Sequence, residues 1–226
     1  MIMQKNSFLK QYKAEIDVFI SCALKEDIGS GDHTGQSCLS NLQYSKANLV
    51  VKESGIIAGV DLAQYIFKSK NSSFKFKSKI KDGSRVKAGD IVFTIEGPQL
   101  ELVATERLVL NCMQRMSGIA TITHQTAALI QHTKCKLLDT RKTTPNFRYP
   151  EKWAVLIGGG ENHRMGLFDM IMIKDNHIDF CGSVTAALTK TKKYLENQNL
   201  EIPVIIEVRN KKEIEACLNF KWIHRI

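Results

Sequence analysis

Apolar residues fall at Phe8, Tyr12, Ile16, Phe19 and Ala23. That three-and-four spacing marks one helical face and predicts a helix over 7–25, with Asn6 or Ser7 as its cap. The Glu26-Asp-Ile-Gly-Ser-Gly-Asp-His-Thr run that follows is rich in Gly and Asp and predicts a loop. Residues 47–52 predict a strand and 60–67 a short helix. Residues 74–80 alternate apolar and basic side chains, the mark of a half-buried strand. Lys81-Asp-Gly predicts a turn, and 90–98 a strand stopped by Gly97-Pro98. Two helical stretches then run from Leu100 to Gln131, with a break expected near Ser117-Gly118.

Beyond Gln131 the pattern becomes regular. Strands are predicted at 136–140, 169–174 and 203–208, and one more begins at 220–226. Between them lie helices at 150–157, with Pro in the first turn and Gly158 past the end, at 183–195, with Ser183 as cap, and at 211–218. Short, wholly apolar strands alternating with helices imply a buried parallel sheet, as in a β/α-barrel or a doubly wound fold. Four strands do not close a barrel.

Composition narrows the class. With 226 residues, 43% apolar and 24% charged, the chain suits one large or two small globular domains rather than a disordered or disulfide-scaffold protein. No apolar run approaches the roughly 18 residues of a membrane span, and Met1-Ile-Met-Gln-Lys lacks a signal-peptide apolar core. The expected compartment is cytoplasmic. The six cysteines (Cys22, Cys38, Cys112, Cys135, Cys181, Cys217) form no C-x-x-C pair and are expected to be buried free thiols. The net charge of +9 is local: residues 68–87 hold eight Lys and Arg against Asp82 alone, a stretch of +7 that leaves +2 for the rest.

Three strand ends carry chemistry: Asp139-Thr-Arg-Lys-Thr-Thr-Pro, Lys174-Asp-Asn-His and Glu207. In α/β barrels and open α/β sheets the active site lies at the C-terminal ends of the strands. Arg141, Lys142 and Lys174 at those ends, with His163 and Arg164 after Gly158-Gly-Gly, call for an anionic ligand. Glu207 could serve a hydroxyl, a metal ion or a developing cation. A polyanion handled with Mg2+ between phosphate and carboxylate oxygens fits this set. The Gly158-Gly-Gly run is either a helix end with a turn or a close backbone approach to a ligand.

The motifs Leu137-Leu-Asp-Thr-Arg-Lys-Thr-Thr-Pro, Gly158-Gly-Gly-Glu-Asn-His-Arg-Met-Gly-Leu and Ile173-Lys-Asp-Asn-His resemble those of quinolinate phosphoribosyltransferases, the carboxylating nicotinate-nucleotide pyrophosphorylases. Glu26-Asp-Ile-Gly-Ser-Gly-Asp, Gly55-Ile-Ile-Ala-Gly, Thr105-Glu-Arg-Leu-Val-Leu-Asn and Ser117-Gly-Ile-Ala-Thr add to the resemblance. It implies an α/β fold: an N-terminal α/β sandwich with its linking helix (1–116) and an incomplete α/β barrel (117–226). It implies transfer of phosphoribosyl from phosphoribosyl pyrophosphate to quinolinate with loss of pyrophosphate and CO2, giving nicotinate mononucleotide for NAD biosynthesis. It also implies homodimers or larger assemblies with the site at the subunit boundary. Carried over by motif, Arg141, His163, Arg164 and Lys174 would surround the quinolinate carboxylates, and Arg107 would reach a neighbouring subunit's site. Lys142 would contact phosphoribosyl pyrophosphate, and Thr140 would help hold the ligand. Glu207 would face the ribose and the Mg2+-pyrophosphate. Asp175, Asn176 and His177 would brace the loop, and Arg115 and Arg148 are left to the surface or an interface.

The sequence departs from the family at its end. Trp222-Ile-His-Arg-Ile matches the start of a strand that in the family continues to a Leu-Asp-Asn motif and glycine-rich phosphate turns, so an incomplete, inactive piece is expected. Ile205 stands where a second acid is common. Two other readings remain open. Lysines 68–87 with Phe74 and Phe76 could form a single-stranded nucleic-acid platform, or a solvated edge strand guarded by lysine. The molybdenum-associated paralogue of the same fold is the second, although Asn162-His-Arg and Ile173-Lys-Asp-Asn-His favour the quinolinate enzyme.

Overall fold

The computed structural model describes residues 7–40 and 43–226 and divides into two compact units, 1–163 and 164–226. In the first unit, α1 (Ser7–Gln11) and α2 (Lys13–Ile28) share the predicted helical region, interrupted at Tyr12. Ser7 is already helical rather than a cap, and Asn6 lies outside the described residues. The expected loop is only partly one. Glu26 to Ile28 complete α2, and Asp32 caps α3 (His33–Cys38) by accepting the Gly35 N–H at 2.9 Å.

Strand β1 (Tyr44–Val50) precedes β2 (Gly55–Ile56) and α4 (Val60–Lys70). Then come β3 (Lys75–Ser78), β4 (Arg85–Val86) and β5 (Ile91–Pro98). An antiparallel sheet has the order β1-β5-β3, and β2 pairs with β4. Phe74 is fully buried, 5.2 Å from the ring of Phe67, and Phe76 packs 4.4 Å from Phe93. The aromatic rings between the lysines therefore belong to the core under α4. This overturns the nucleic-acid platform, which needs those rings free for stacking. Asp82, the one acid among the lysines, is engaged with backbone. Its carboxylate accepts the Val60 and Asp61 N–H groups at 2.9 and 3.1 Å, capping α4 from a distant turn.

Helix α5 (Gln99–Ile130) runs unbroken through Ser117-Gly118, against expectation. Its buried stripe continues across that point as Val109, Cys112, Met113, Met116, Ala120 and Thr123. Ser117 is itself engaged, its Oγ accepting the Ala58 N–H at 2.9 Å. A single exposed Gly costs only about 1 kcal/mol in a helix, which packing of this length overrides. Gly59 shows the closeness of that packing: it opens α4 at φ +94, and a Cβ there would lie 3.1 Å from Met116 Sδ. Helix α6 (Arg148–Ile157) packs on α5, with Trp153 buried and stacked on Phe8. Because α5 continues past residue 116 and α6 rests on it, residues 117–163 join the first compact unit rather than the second.

In the second unit, β6 (Ile171–Ile173), α7 (Asp175–Cys181), α8 (Val184–Gln198), β7 (Val204–Ile206) and α9 (Lys211–Leu218) follow in order. β6 and β7 are parallel, Ile173 opposite Ile206, and Ile205 bridges in parallel to Arg225 where the last strand was expected. Ser183 and Asn210 cap α8 and α9 through side-chain oxygens. Ile173, Ile178, Leu188, Val204 and Ile206 fill the core. The sheets do not close among the described residues; of the four expected parallel strands two form as β6 and β7, and the other two are single bridges at Leu138 and Arg225. No described helix is long and apolar enough to cross a membrane. All six cysteines are free, but only Cys112 and Cys217 are buried, which corrects the expectation for the other four. Burial pushes the Cys112 thiol up to about 12.

Candidate functional site

In the first unit the site is built around residues 137–163. Leu138 bridges in parallel to Glu161, and the Asp139 N–H donates to the Glu161 carbonyl at 3.1 Å. The segment after the glycine run is therefore a short strand partner, which the sequence did not show because Glu161-Asn-His is not apolar. Gly158 and Gly159 end α6. The close approach of Gly158 is to α5, since a Cβ there would lie 2.5 Å from the Ala120 carbonyl. The helix-end reading of the run is the one the structure supports.

The loop bearing Thr140, Arg141 and Lys142 is tied down at both ends. Thr140 Oγ1 accepts the Lys142 N–H at 3.0 Å. Farther on, the Thr144 N–H and hydroxyl donate to the Glu151 carboxylate at 3.1 and 2.8 Å, and Arg115 Nε donates to the same carboxylate at 2.9 Å. Glu151 is only 5% exposed. Arg148 Nε donates to Thr143 Oγ1 at 3.0 Å. Arg115 and Arg148, left to the surface or an interface by the sequence, are thus ties of this loop. Within it, Arg141 Nε is buried without a hydrogen-bond partner.

His163 is held through its backbone. Its N–H donates to Asp139 Oδ1 at 2.9 Å and its carbonyl accepts Lys152 Nζ at 3.2 Å. Arg107 is exposed on α5 and makes no ion pair among the described residues.

In the second unit, Arg164 Nη1 donates to the Met170 carbonyl at 3.2 Å. Lys174 and Glu207 leave the C-terminal ends of β6 and β7, and their side chains form an ion pair at 3.1 Å. His177 Nδ1 accepts the Lys174 N–H at 2.9 Å, so His177 braces the residue that begins α7. That acceptor role places the proton of a neutral ring on Nε2. Arg209, which the sequence reading did not single out, forks to Asp179 at 2.8 and 3.1 Å and to Glu213 at 2.8 Å. It joins the loop after Glu207 to α7.

No group of three or more His, Cys, Asp or Glu able to hold a metal occurs among the described residues. Asp139 is committed to Lys152, Asn162 and His163, which leaves Glu207 as the strand-end carboxylate facing outward. One carboxylate does not fit a resident metal centre. It does fit a Mg2+ held mainly by phosphate oxygens of a ligand.

Two family models match, "Quinolinate phosphoribosyl transferase, N-terminal domain" over residues 32–117 and "Quinolinate phosphoribosyl transferase, C-terminal domain" over 119–223. The crystal structure of NadC from Streptococcus pyogenes superposes with a TM-score of 0.81 at 37% identity, covering 90% of this chain and 71% of that one. The chain belongs to the quinolinate phosphoribosyltransferase family. The nicotinate-nucleotide pyrophosphorylase of Francisella tularensis has the same fold, with a TM-score of 0.79 at 35% identity, covering 91% and 71% of the two chains. Decarboxylating quinolinate phosphoribosyltransferase 1 of Nicotiana glauca is 45% identical over 202 residues, 89% of this chain and 57% of the relative. The chloroplastic carboxylating nicotinate-nucleotide pyrophosphorylase of Arabidopsis thaliana is 43% identical, covering 91% and 59%. The chain thus spans a little over half the length of these two plant relatives. The matched family models and relatives favour the quinolinate enzyme over the molybdenum-associated paralogue, and the mixed α/β fold matches the solved NadC structure.

Proposed function

We propose that this chain carries the quinolinate-binding part of a carboxylating nicotinate-nucleotide pyrophosphorylase. In this reading phosphoribosyl passes from phosphoribosyl pyrophosphate to quinolinate, with release of pyrophosphate and CO2 and formation of nicotinate mononucleotide. The observation that carries it is the buried, unpartnered Nε of Arg141 in a loop fixed by Glu151. A guanidinium nitrogen withdrawn from water without an acceptor is costly, and a ligand carboxylate is the acceptor that its planar fork suits.

The roles follow from charge. Arg141, His163, Arg164 and Lys174 hold the quinolinate dianion and orient its ring nitrogen toward the ribose, and Arg107 serves the site of a neighbouring subunit in a homodimer. Lys142, with Thr140 shaping its turn, faces the phosphoribosyl pyrophosphate. As the bond to pyrophosphate loosens, positive charge develops on the ribose, and the Glu207 carboxylate stabilises it. Once the ring nitrogen is ribosylated, its positive charge stabilises the electron pair left on the adjacent ring carbon as CO2 departs, and that carbon then takes up a proton from water. Glu207 would be the carboxylate beside a Mg2+ bound to the diphosphate of phosphoribosyl pyrophosphate, where the ion would neutralise charge on the leaving group.

Calorimetric titration of the chain with quinolinate tests the reading, with nicotinate, which lacks the second carboxylate, as control. Quinolinate is expected to bind at least tenfold tighter. Equal affinity for both acids, or no binding of either, would reject it.

A further inference from the structure

Between the strand end that carries Arg141 and the segment that carries His163 lies a buried polar cluster. Asp139 Oδ1 accepts both the Lys152 ammonium and the His163 N–H, the latter at 2.9 Å, and Oδ2 accepts Asn162 Nδ2 at 2.6 Å. Asn162 Nδ2 also donates to the Lys152 carbonyl at 2.8 Å, and Lys152 Nζ to the His163 carbonyl at 3.2 Å. The Lys152 and Asp139 side chains are 1% and 8% exposed. Lys152 projects from α6 beside the buried Trp153 and Ala154, a place where an apolar residue would serve packing as well.

Burying an ion pair is a poor route to stability, since an apolar pair of similar volume is often as stable or more so. What this pair does is geometric. One carboxylate binds three groups from two segments; Asp139 itself lies two residues before Arg141, and one of the groups it holds is the backbone N–H of His163. We propose that Asp139, Lys152 and Asn162 are positioning residues that set Arg141 and His163 at the spacing of the two carboxylates of a pyridine dicarboxylate. The inference rests on the quinolinate reading and adds the device that gives the site its spacing. A preorganised pair of donors loses little freedom on binding, so a loosened cluster weakens the ligand before it unfolds the protein.

The test uses the full chain with two changes of different severity. Asn162→Ala removes two hydrogen bonds and leaves the ion pair. Asp139→Asn combined with Lys152→Met removes both charges and keeps an acceptor for the His163 N–H. Quinolinate affinity by calorimetry, the thermal midpoint, and hydrogen exchange at the Arg141 and His163 amides are measured together. The expected result is a Kd for quinolinate raised about tenfold or more in both variants, with faster exchange at those amides, under conditions where both remain folded. A lowered midpoint with unchanged Kd in the folded variants makes the cluster merely structural and overturns the proposal alone. A wild-type chain that binds no quinolinate overturns the functional reading and this proposal with it.

Discussion

Lys174 Nζ lies 3.1 and 3.2 Å from the two carboxylate oxygens of Glu207, across the C-terminal ends of neighbouring parallel strands. Register produces this contact. Ile173 faces Ile206, and the Glu207 N–H donates to the Ile173 carbonyl at 2.9 Å, so the next side chains emerge side by side. The pair is about half exposed and so contributes roughly 0–1 kcal/mol. Such a pair exchanges readily, and Lys174 can leave Glu207 for a ligand carboxylate at little cost.

From this, Glu207→Gln should separate binding from chemistry. Lys174 loses its resident partner, so quinolinate affinity is expected to stay level or rise a few-fold. In a chain that turns over, formation of nicotinate mononucleotide is expected to fall about a hundredfold, the scale of a lost electrostatic stabiliser. Calorimetry and product assay read the two effects. A tenfold loss of quinolinate affinity would instead place Glu207 among the groups that hold the acid.

Arg141→Ala should raise the quinolinate Kd by about 30-fold to 5,000-fold, since removing one partner of a desolvated charged contact costs about 2–5 kcal/mol. Arg141→Lys should recover only part of this, because an ammonium lacks the planar fork. Affinity for nicotinate should change much less in both variants. Unchanged quinolinate affinity in Arg141→Ala would remove this side chain from the site.

Much of the fold was legible because its signals are local. Helix α9 begins and ends where predicted, after an Asn210 cap, and Ser183 fixes the start of α8. What escaped was non-local. The continuity of α5 depends on a buried stripe and on the Ala58 backbone held by Ser117. Short α3 depends on Asp32 folding back as its cap. In the candidate site, Arg141, Lys142, Lys174 and Glu207 were legible as charged groups at strand ends. His177, which holds the Lys174 N–H, was legible too, whereas Arg115 and Glu151 were not, because they lie 36 residues apart and meet only when α6 packs on α5. One signal for the buried cluster was available: Glu151 and Lys152 stand beside Trp153 and Ala154 on a helix otherwise apolar at those positions.

The Arg115–Glu151 contact should matter for stability more than exposed pairs do. Arg115→Ala leaves the Glu151 carboxylate buried with only the Thr144 groups as donors. Because the Arg115 side chain is itself 57% exposed, the expected loss is about 1–3 kcal/mol, below the range for a wholly buried pair. Lys13→Ala, which breaks the exposed pair with Asp17 at 2.6 Å, should cost less than about 1 kcal/mol. Urea unfolding of the two variants gives the comparison, and equal losses would deny Glu151 its special position.

Asp82 should leave a signature in the pH dependence of stability. Burial pushes its carboxyl from the ordinary 3.8 up to about 6, although the Val60 and Asp61 N–H groups favour the charged form and pull it back. The nearby Asp61 carboxylate pushes in the same direction as burial. Between about pH 4 and pH 6 the folded chain keeps a proton that the unfolded chain has released, so folding is favoured by acid there. The contribution is complete below about pH 4 and is lost as pH rises through 6. Two pH units correspond to roughly 3 kcal/mol as an upper bound. Asp17 and Glu213, whose carboxyls are held low by Lys13 and Arg209, act in the opposite sense, so total stability is the wrong readout. The difference between wild type and Asp82→Asn isolates the group, because asparagine still offers an oxygen to the helix N–H donors but does not titrate. In urea unfolding at pH 4, 5, 6 and 7, the stability of wild type relative to Asp82→Asn should decline steadily with pH. A difference that stays flat would show that the α4 N–H donors fully accommodate the charge.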